Sequence, residues 1–283
     1  MAVIETNTKS CLHIRSNSLP SAPHPFTSQF EDHLQRLKDS EVSSSSLTSY
    51  SINYKLDGLQ DLHGCADKLL QLPIAQQVLA RECSNKAVDE LLDGSVRLLD
   101  VCSTIKDCLM EQKESMHELE SAIRRRRDAE AGFTIVSGKY LASRKRIKKA
   151  TRKALENLKG FGNELIVASS NKDSETLSSS LESFLLFITG SNGQPKQNRW
   201  STVFKLMQSN RVGCDSQVAD TNEFEKLDAA LMSLMNHKSS STDNFKSHIE
   251  NLETCIQNLE VGVECLSRKL IRSRVSLLNI FNH

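Results

Sequence analysis

From residue 249 the apolar positions keep a strict a/d heptad. Ile249, Leu252, Ile256, Leu259, Val263, Leu266, Leu270, Leu277 and Ile280 share one stripe, and Ser273 is its only polar lapse. That spacing predicts a helix over 243–281 with a narrow coiled-coil-like seam. A second three–four stripe runs through Val88, Leu91, Ser95, Leu98, Cys102, Ile105, Leu109, Gln112, Met116, Leu119 and Ile123, and predicts a helix over 85–127. Ser84 or Asn85 supplies its N-cap, because a short polar side chain can accept a bond from an otherwise orphan backbone N–H. Asp89 and Glu90 suit its first turn, where the helix dipole is positive. Two seams of similar length, neither stable in water, are expected to pack lengthwise. The alternative use of the last seam is pairing with a second copy, which would make a homo-oligomer.

Weaker stripes fill in the rest. Phe26, Phe30, Leu34 and Leu37 mark one helix, and the serine run 43–46 is a linker. Leu56, Leu59, Leu62, Ala66 and Leu69 mark a helix over 50–70, weakened by Gly58 and Gly64 at about 1 kcal/mol each. Pro73 ends it and suits the first turn of a short helix that follows. Val136, Tyr140, Ile147, Ala154 and Leu158 mark a helix over 133–160. Gly132 and the β-branched run 134–136 predict a break before it, and Gly160 and Gly162 a C-cap after it. Ser174–Thr189 reads as a helix stopped by the Gly- and Pro-containing stretch 190–195. Trp200, Val203, Phe204 and Met207 mark one short helix, and Phe224, Leu227, Leu231 and Leu234 another. The fold class is therefore all-α: one elongated helical bundle over 26–283. Residues 1–25, Ser-rich with three prolines, are expected to be a disordered arm.

Composition sharpens this in three places. Aromatics are 5% of 283 residues, so Leu, Ile, Val and Ala carry the core, which agrees with helices. The net charge of +1 hides a segregation: residues 124–153 carry +10 and the remainder −9. Eight cysteines lie without a C-x-x-C pair, and several sit on apolar faces, so they are read as reduced, small core residues rather than metal ligands. The N-terminus lacks the uninterrupted apolar run of a secretory signal, so none is expected, and Ala2 stands where N-myristoylation needs Gly. No apolar run is long enough to span a bilayer. A cytoplasmic protein is expected, with nuclear or membrane-peripheral placement as alternatives.

No catalytic constellation appears. Histidines are scattered, Gly160-Phe161-Gly162 lacks the third glycine and the strand of a dinucleotide site, and His63-Gly64-Cys65 has no third member. Neighbouring residues on a helix point about 100° apart, so the last is read as a face His beside a core Cys. An enzyme, a cofactor and a metal site are not expected.

Two features carry regulation instead. The basic residues Arg124, Arg125, Arg126, Arg127, Arg144, Lys145, Arg146, Lys148, Lys149, Arg152 and Lys153 form two clusters spaced like a bipartite nuclear signal. The second lies on an amphipathic stretch, 139–159, of the kind that meets anionic lipid or calmodulin. With only Phe133 and Tyr140 nearby, it lacks the interleaved aromatics of a nucleic-acid surface. The other reading is a solvated face paired with the acidic body. In the arm, Arg15, Ser16, Ser18 and Pro20 match the R-S-x-S-x-P form that 14-3-3 adaptors favour once the second serine is phosphorylated. The phosphate adds charge that an Arg cluster holds by bidentate bonds.

The His13–Pro25 segment, Leu69-Leu70-Gln71-Leu72-Pro73, the Val88–Ser95 run, Leu98-Leu99-Asp100-Val101-Cys102, the Arg124–Arg127 cluster and Arg199-Trp200-Ser201 resemble the plant family Domain of Unknown Function 241, a distant relative of the Bypass proteins. The resemblance implies a plant origin, one family-wide domain and, by analogy, a role in root and shoot development. It brings no catalytic residues. The expected function is a non-enzymatic interaction or scaffold protein controlled by phosphorylation of its arm. The alternative is a peripheral-membrane or calmodulin-binding protein acting through 139–159.

Overall fold

The computed structural model describes residues 24–43, 47–125, 130–168, 173–190, 222–236 and 242–282. Among them run eight α-helices and no strand: α1 (Pro25–Ser43), α2 (Ser49–Leu70), α3 (Pro73–Glu82), α4 (Asn85–Arg124), α5 (Glu130–Ala168), α6 (Asp173–Thr189), α7 (Glu223–Met235) and α8 (Thr242–Phe281). The arm with Arg15, Ser16, Ser18 and Pro20, and the short helix read at Trp200–Met207, lie outside the described residues.

The bundle is built around α8, 40 residues and about 60 Å long. Its heptad stripe is core: Ile249, Leu252, Ile256, Leu259, Val263, Leu266, Leu270 and Ile280 are all buried, and Leu277 is partly so. The seam thus closes inside its own chain, against α2 and α4. At the lapse, the Ser273 hydroxyl is buried without a partner among the described residues.

Polar contacts give the directions. Lys113 Nζ lies 2.9 Å from Glu260, Lys106 pairs with Glu264, and Arg274 reaches the Leu92 carbonyl and the Ser95 hydroxyl. Rising numbers on α8 meet falling numbers on α4, so the two are antiparallel. Against α2 the numbers rise together: Gln60 Nε2 donates to the Gly262 carbonyl, and Ser276 Oγ faces Asp67. The α2–α8 approach is close enough that a Cβ at Gly262 would stand 2.3 Å from Leu56 Cδ2.

α5 returns antiparallel along α4, and α6 returns along α5. α6 also meets the first helices, where Lys55, 5% exposed, donates to Ser183 Oγ at 3.0 Å. Burial lowers the Lys55 pKa, and Glu41 works against that. α7 covers the N-terminal half of α8.

Local chemistry explains most boundaries. Ser84 Oγ accepts from Ala87 N and starts α4. Thr48 and Ser51 form a reciprocal capping box on α2. Pro73 opens α3 at its first turn.

Three expectations are corrected. α5 runs without a break through 132–136 and past Gly160 and Gly162 to Ala168. Phe133 and Ser137 are buried on its core face. Packing at that scale outweighs the fraction of a kcal/mol that β-branching and the roughly 1 kcal/mol that a glycine costs a helix. Asp89 and Glu90 lie beyond the first turn of α4, which holds no acid. Leu91 is 47% exposed, because the buried stripe of α4 there passes through Gly94 instead.

Candidate functional site

Residues 131–155 hold eight Lys or Arg and no acid. Coiled into α5, they divide by direction. Tyr140, Arg144, Ile147, Thr151, Ala154 and Leu158 follow a three–four stripe into the core. Lys139, Lys145, Arg146, Lys149, Arg152 and Lys153 stand on exposed positions.

Arg144 is therefore not part of a basic surface. It is 2% exposed, because it occupies the core register between Tyr140 and Ile147. Its Nε donates to both carboxylate oxygens of Asp228 on α7, at 3.1 and 3.2 Å. Its Nη1 donates to the Ile188 carbonyl at the end of α6 and to Gln112 Oε1 on α4. The guanidinium also lies 5.1 Å from the centre of the Phe224 ring. Tyr140 completes the network: its hydroxyl donates to Asp228 at 3.0 Å and accepts from Gln112 Nε2 at 3.2 Å. Burial and then Asp228 push the Tyr140 pKa up. Burial likewise raises the Glu225 carboxyl. One guanidinium thereby ties four helices at a single level.

The neighbouring junction is built for it. α6 ends at Gly190, whose φ of 70° places it in the left-handed region that glycine favours. A side chain there would meet Glu225 Cγ at 2.9 Å. Asn222 then caps α7 through Oδ1 and donates its amide to the Phe187 carbonyl at 2.9 Å.

Two more cations are spoken for. Arg146 pairs with Glu111, and Lys148 lies 3.5 Å from Asp228. Arg124 bonds Glu120 within α4, and Arg125, the C-cap of α4, bonds Ser121; Arg126 and Arg127 lie outside the described residues. What remains is a set of five exposed cations, Lys139, Lys145, Lys149, Arg152 and Lys153, with no ion-pair partner among the described residues. Ile135, 63% exposed, lies one turn before Lys139. Because the opposite side of α5 is locked into the core, these cations are presented on a rigid support. Such a face attracts anionic surfaces electrostatically.

Burial pushes the Cys102 and Cys108 thiols to about 11 and Cys255 to about 12. His63 is held neutral, at about 4, by burial and by Lys269, while Cys65 Sγ donates toward the Phe26 carbonyl. Among the described residues no three His, Cys, Asp or Glu gather as metal ligands, and no helix is long and apolar enough to cross a membrane.

Sequence reasoning missed Asp228 and the inward turn of Arg144. The signal existed: Arg144 sits four after Tyr140 and three before Ile147, in register with the apolar stripe.

A family model described as Protein BPS1 matches residues 55–280. That span takes in α3 to α7 whole, most of α2 and all but the last residue of α8. No curated protein and no solved structure matches the chain.

Proposed function

The chain belongs to the Protein BPS1 family, and from that premise we propose that it is a non-enzymatic plant interaction protein, working in root and shoot development as a scaffold for acidic partners. The observation that carries the reading is the set of five cations on α5 left unpaired among the described residues, backed by a helix that four-way packing holds still. A rigid face pre-organises its charges, so little ordering entropy is lost on docking. Phosphorylation of Ser18, with Arg15 upstream and Pro20 after it, adds a second docking point for a 14-3-3 adaptor in the cytoplasm.

Affinity purification from plant tissue tests both parts. Lys145, Lys149, Arg152 and Lys153 are changed together to Glu; Lys148 is left alone because it serves Asp228. Loss of most partners at low salt is expected from the charge reversal, and an unchanged partner set would overturn the reading. Ser18→Ala, or phosphatase treatment, is expected to remove the 14-3-3 adaptor only. Equal recovery of the adaptor would discard the phosphorylation step.

A second reading has one observation in its favour. Ile135 stands exposed one turn before Lys139, as on a helix that lies on an anionic membrane. Each Lys or Arg close to such a surface contributes about 1 kcal/mol. Salt-sensitive sedimentation with phosphatidylserine vesicles, lost in the charge-reversal variant, would favour the membrane over a protein partner. Calmodulin binding through 139–159 is tested by calcium-dependent pull-down of the full chain.

A further inference from the structure

The outward side of α4 carries a stripe of one sign. Asp89, Asp93, Asp100, Asp107, Glu114 and Glu118 follow one another at spacings of four and seven, over about 44 Å of helix. All six are exposed, and none has an ion-pair partner among the described residues. Val96 and Met110, 39% and 54% exposed, stand in the same stripe. Asp89 with Asp93, and Glu114 with Glu118, are like charges one turn apart, an arrangement that costs an isolated helix stability. The basic face of α5 repeats it with Lys145, Lys149 and Lys153. Two stripes of opposite sign thus lie on adjacent helices, and neither is neutralised among the described residues.

Contacts between the two helices fix their levels. Gln112 meets Tyr140 and Arg144, and Glu111 meets Ser143 and Arg146. The helices run antiparallel, so counting away from these contacts sets Lys145 and Lys149 on either side of the level of Asp107. Lys139 falls between the levels of Glu114 and Glu118, and Arg152 and Lys153 between those of Asp100 and Asp107. Opposite charges therefore share levels, but each stripe points away from the buried side of its own helix. A twofold axis parallel to the bundle lays α4 of one copy over α5 of another, twice, and changes no level.

We propose that these faces pair in a twofold homodimer, the acidic stripe of each copy seated on the basic face of the other. An isologous contact of this kind uses each stripe once and closes. Met110 stands at the level of Lys145, whose aliphatic stem can cover it while the ammonium meets Asp107 or Glu114. Complementary charge sets the alignment and speeds encounter. The inference rests on the reading that the α5 face takes acidic partners, and it names a second copy of the chain as one of them. The α8 seam plays no part, since it closes inside its own chain.

Sedimentation equilibrium on the full chain at tens of micromolar tests this. At about 10 mM salt a species of twice 31.6 kDa is expected, and its loss at about 1 M, as the screening length drops from about 30 to about 3 Å. Asp100→Lys, Asp107→Lys and Glu114→Lys together are expected to abolish the dimer. Changing Lys145, Lys149, Arg152 and Lys153 together to Glu is expected to do the same. Mixed, the two variants meet as complementary faces at both contacts, and the dimer is expected to return. A wild type that is monomeric at low salt overturns the proposal. So does a dimer that ignores salt, survives either reversal, or fails to re-form from the two variants when both keep the wild-type circular dichroism. The α5 cations are intact in the wild type, so a monomer that still captures acidic partners would overturn self-pairing alone and leave the docking role of that face standing.

Discussion

Arg144 and Asp228, one on α5 and the other on α7, are joined through both carboxylate oxygens, and the arginine is all but sealed from water. The pair is short-range glue with a long lever. Through the same guanidinium it reaches the end of α6 and the middle of α4.

Removing one partner should be worse than removing both. Asp228→Ala leaves a buried, uncompensated guanidinium and is expected to destabilise by about 3–5 kcal/mol. The double variant Arg144→Met with Asp228→Leu replaces the pair by apolar groups and should recover much of that loss. Urea denaturation of the two measures it. A single variant within about 0.5 kcal/mol of wild type would show that Asp228 does not compensate the arginine.

Gly262→Ala sets two effects against each other. Alanine improves helix propensity by up to about 1 kcal/mol. Its Cβ would stand 2.3 Å from Leu56 Cδ2 and 3.1 Å from Cγ, and Leu56 is itself in the core. Overpacking of that kind costs about 1–3 kcal/mol, so net destabilisation is expected. A raised melting temperature would mean that Leu56 repacks freely.

Leu259→Asp tests the seam. Leu259 is fully buried and its neighbours on α8 offer no cation on that face. Placing a carboxylate there is expected to cost several kcal/mol. An unchanged melting temperature would put that face in contact with water.

His63 predicts the direction of one pH effect. Its folded pKa, about 4, lies below the ordinary 6.5 because burial and Lys269 disfavour the charged form. The unfolded chain then binds the proton more readily. Its contribution is present above pH 6.5 and is lost as pH falls toward 4, by roughly 3 kcal/mol in all. His63→Gln should flatten that part of the stability profile. An identical slope in wild type and variant would assign the acid sensitivity elsewhere.

The long periodicities were legible because they repeat. Nine seam positions on α8 average out any one misleading residue, and the helix bounds came within a residue of Thr242–Phe281. The α5 boundaries were less legible, since Gly132, Thr134 and Gly160 speak for local preference, whereas Phe133 and Ser137 are decided by what packs on them. The basic block misled for a related reason. A run of cations reads as surface, yet burial follows register, and register puts Arg144 inside and Lys145 outside. Glu223 gave no signal at all. Its hydrogen bond comes from Ser49, 174 residues earlier in the chain, which no spacing rule connects to it.

The order of the helices has a consequence for how the protein is made. α8 is the helix against which both α2 and α4 close, and it follows them in sequence by more than a hundred residues. During synthesis, at about 5–20 residues per second, the apolar faces of α2 and α4 leave the ribosome with their partner still untranslated. For several seconds Ile52, Leu56, Ile105 and Leu109 can be shielded only by the helices already made or by a chaperone. The nascent chain is thus most exposed to aggregation just before α8 emerges, and closure of the core is a late event in its synthesis.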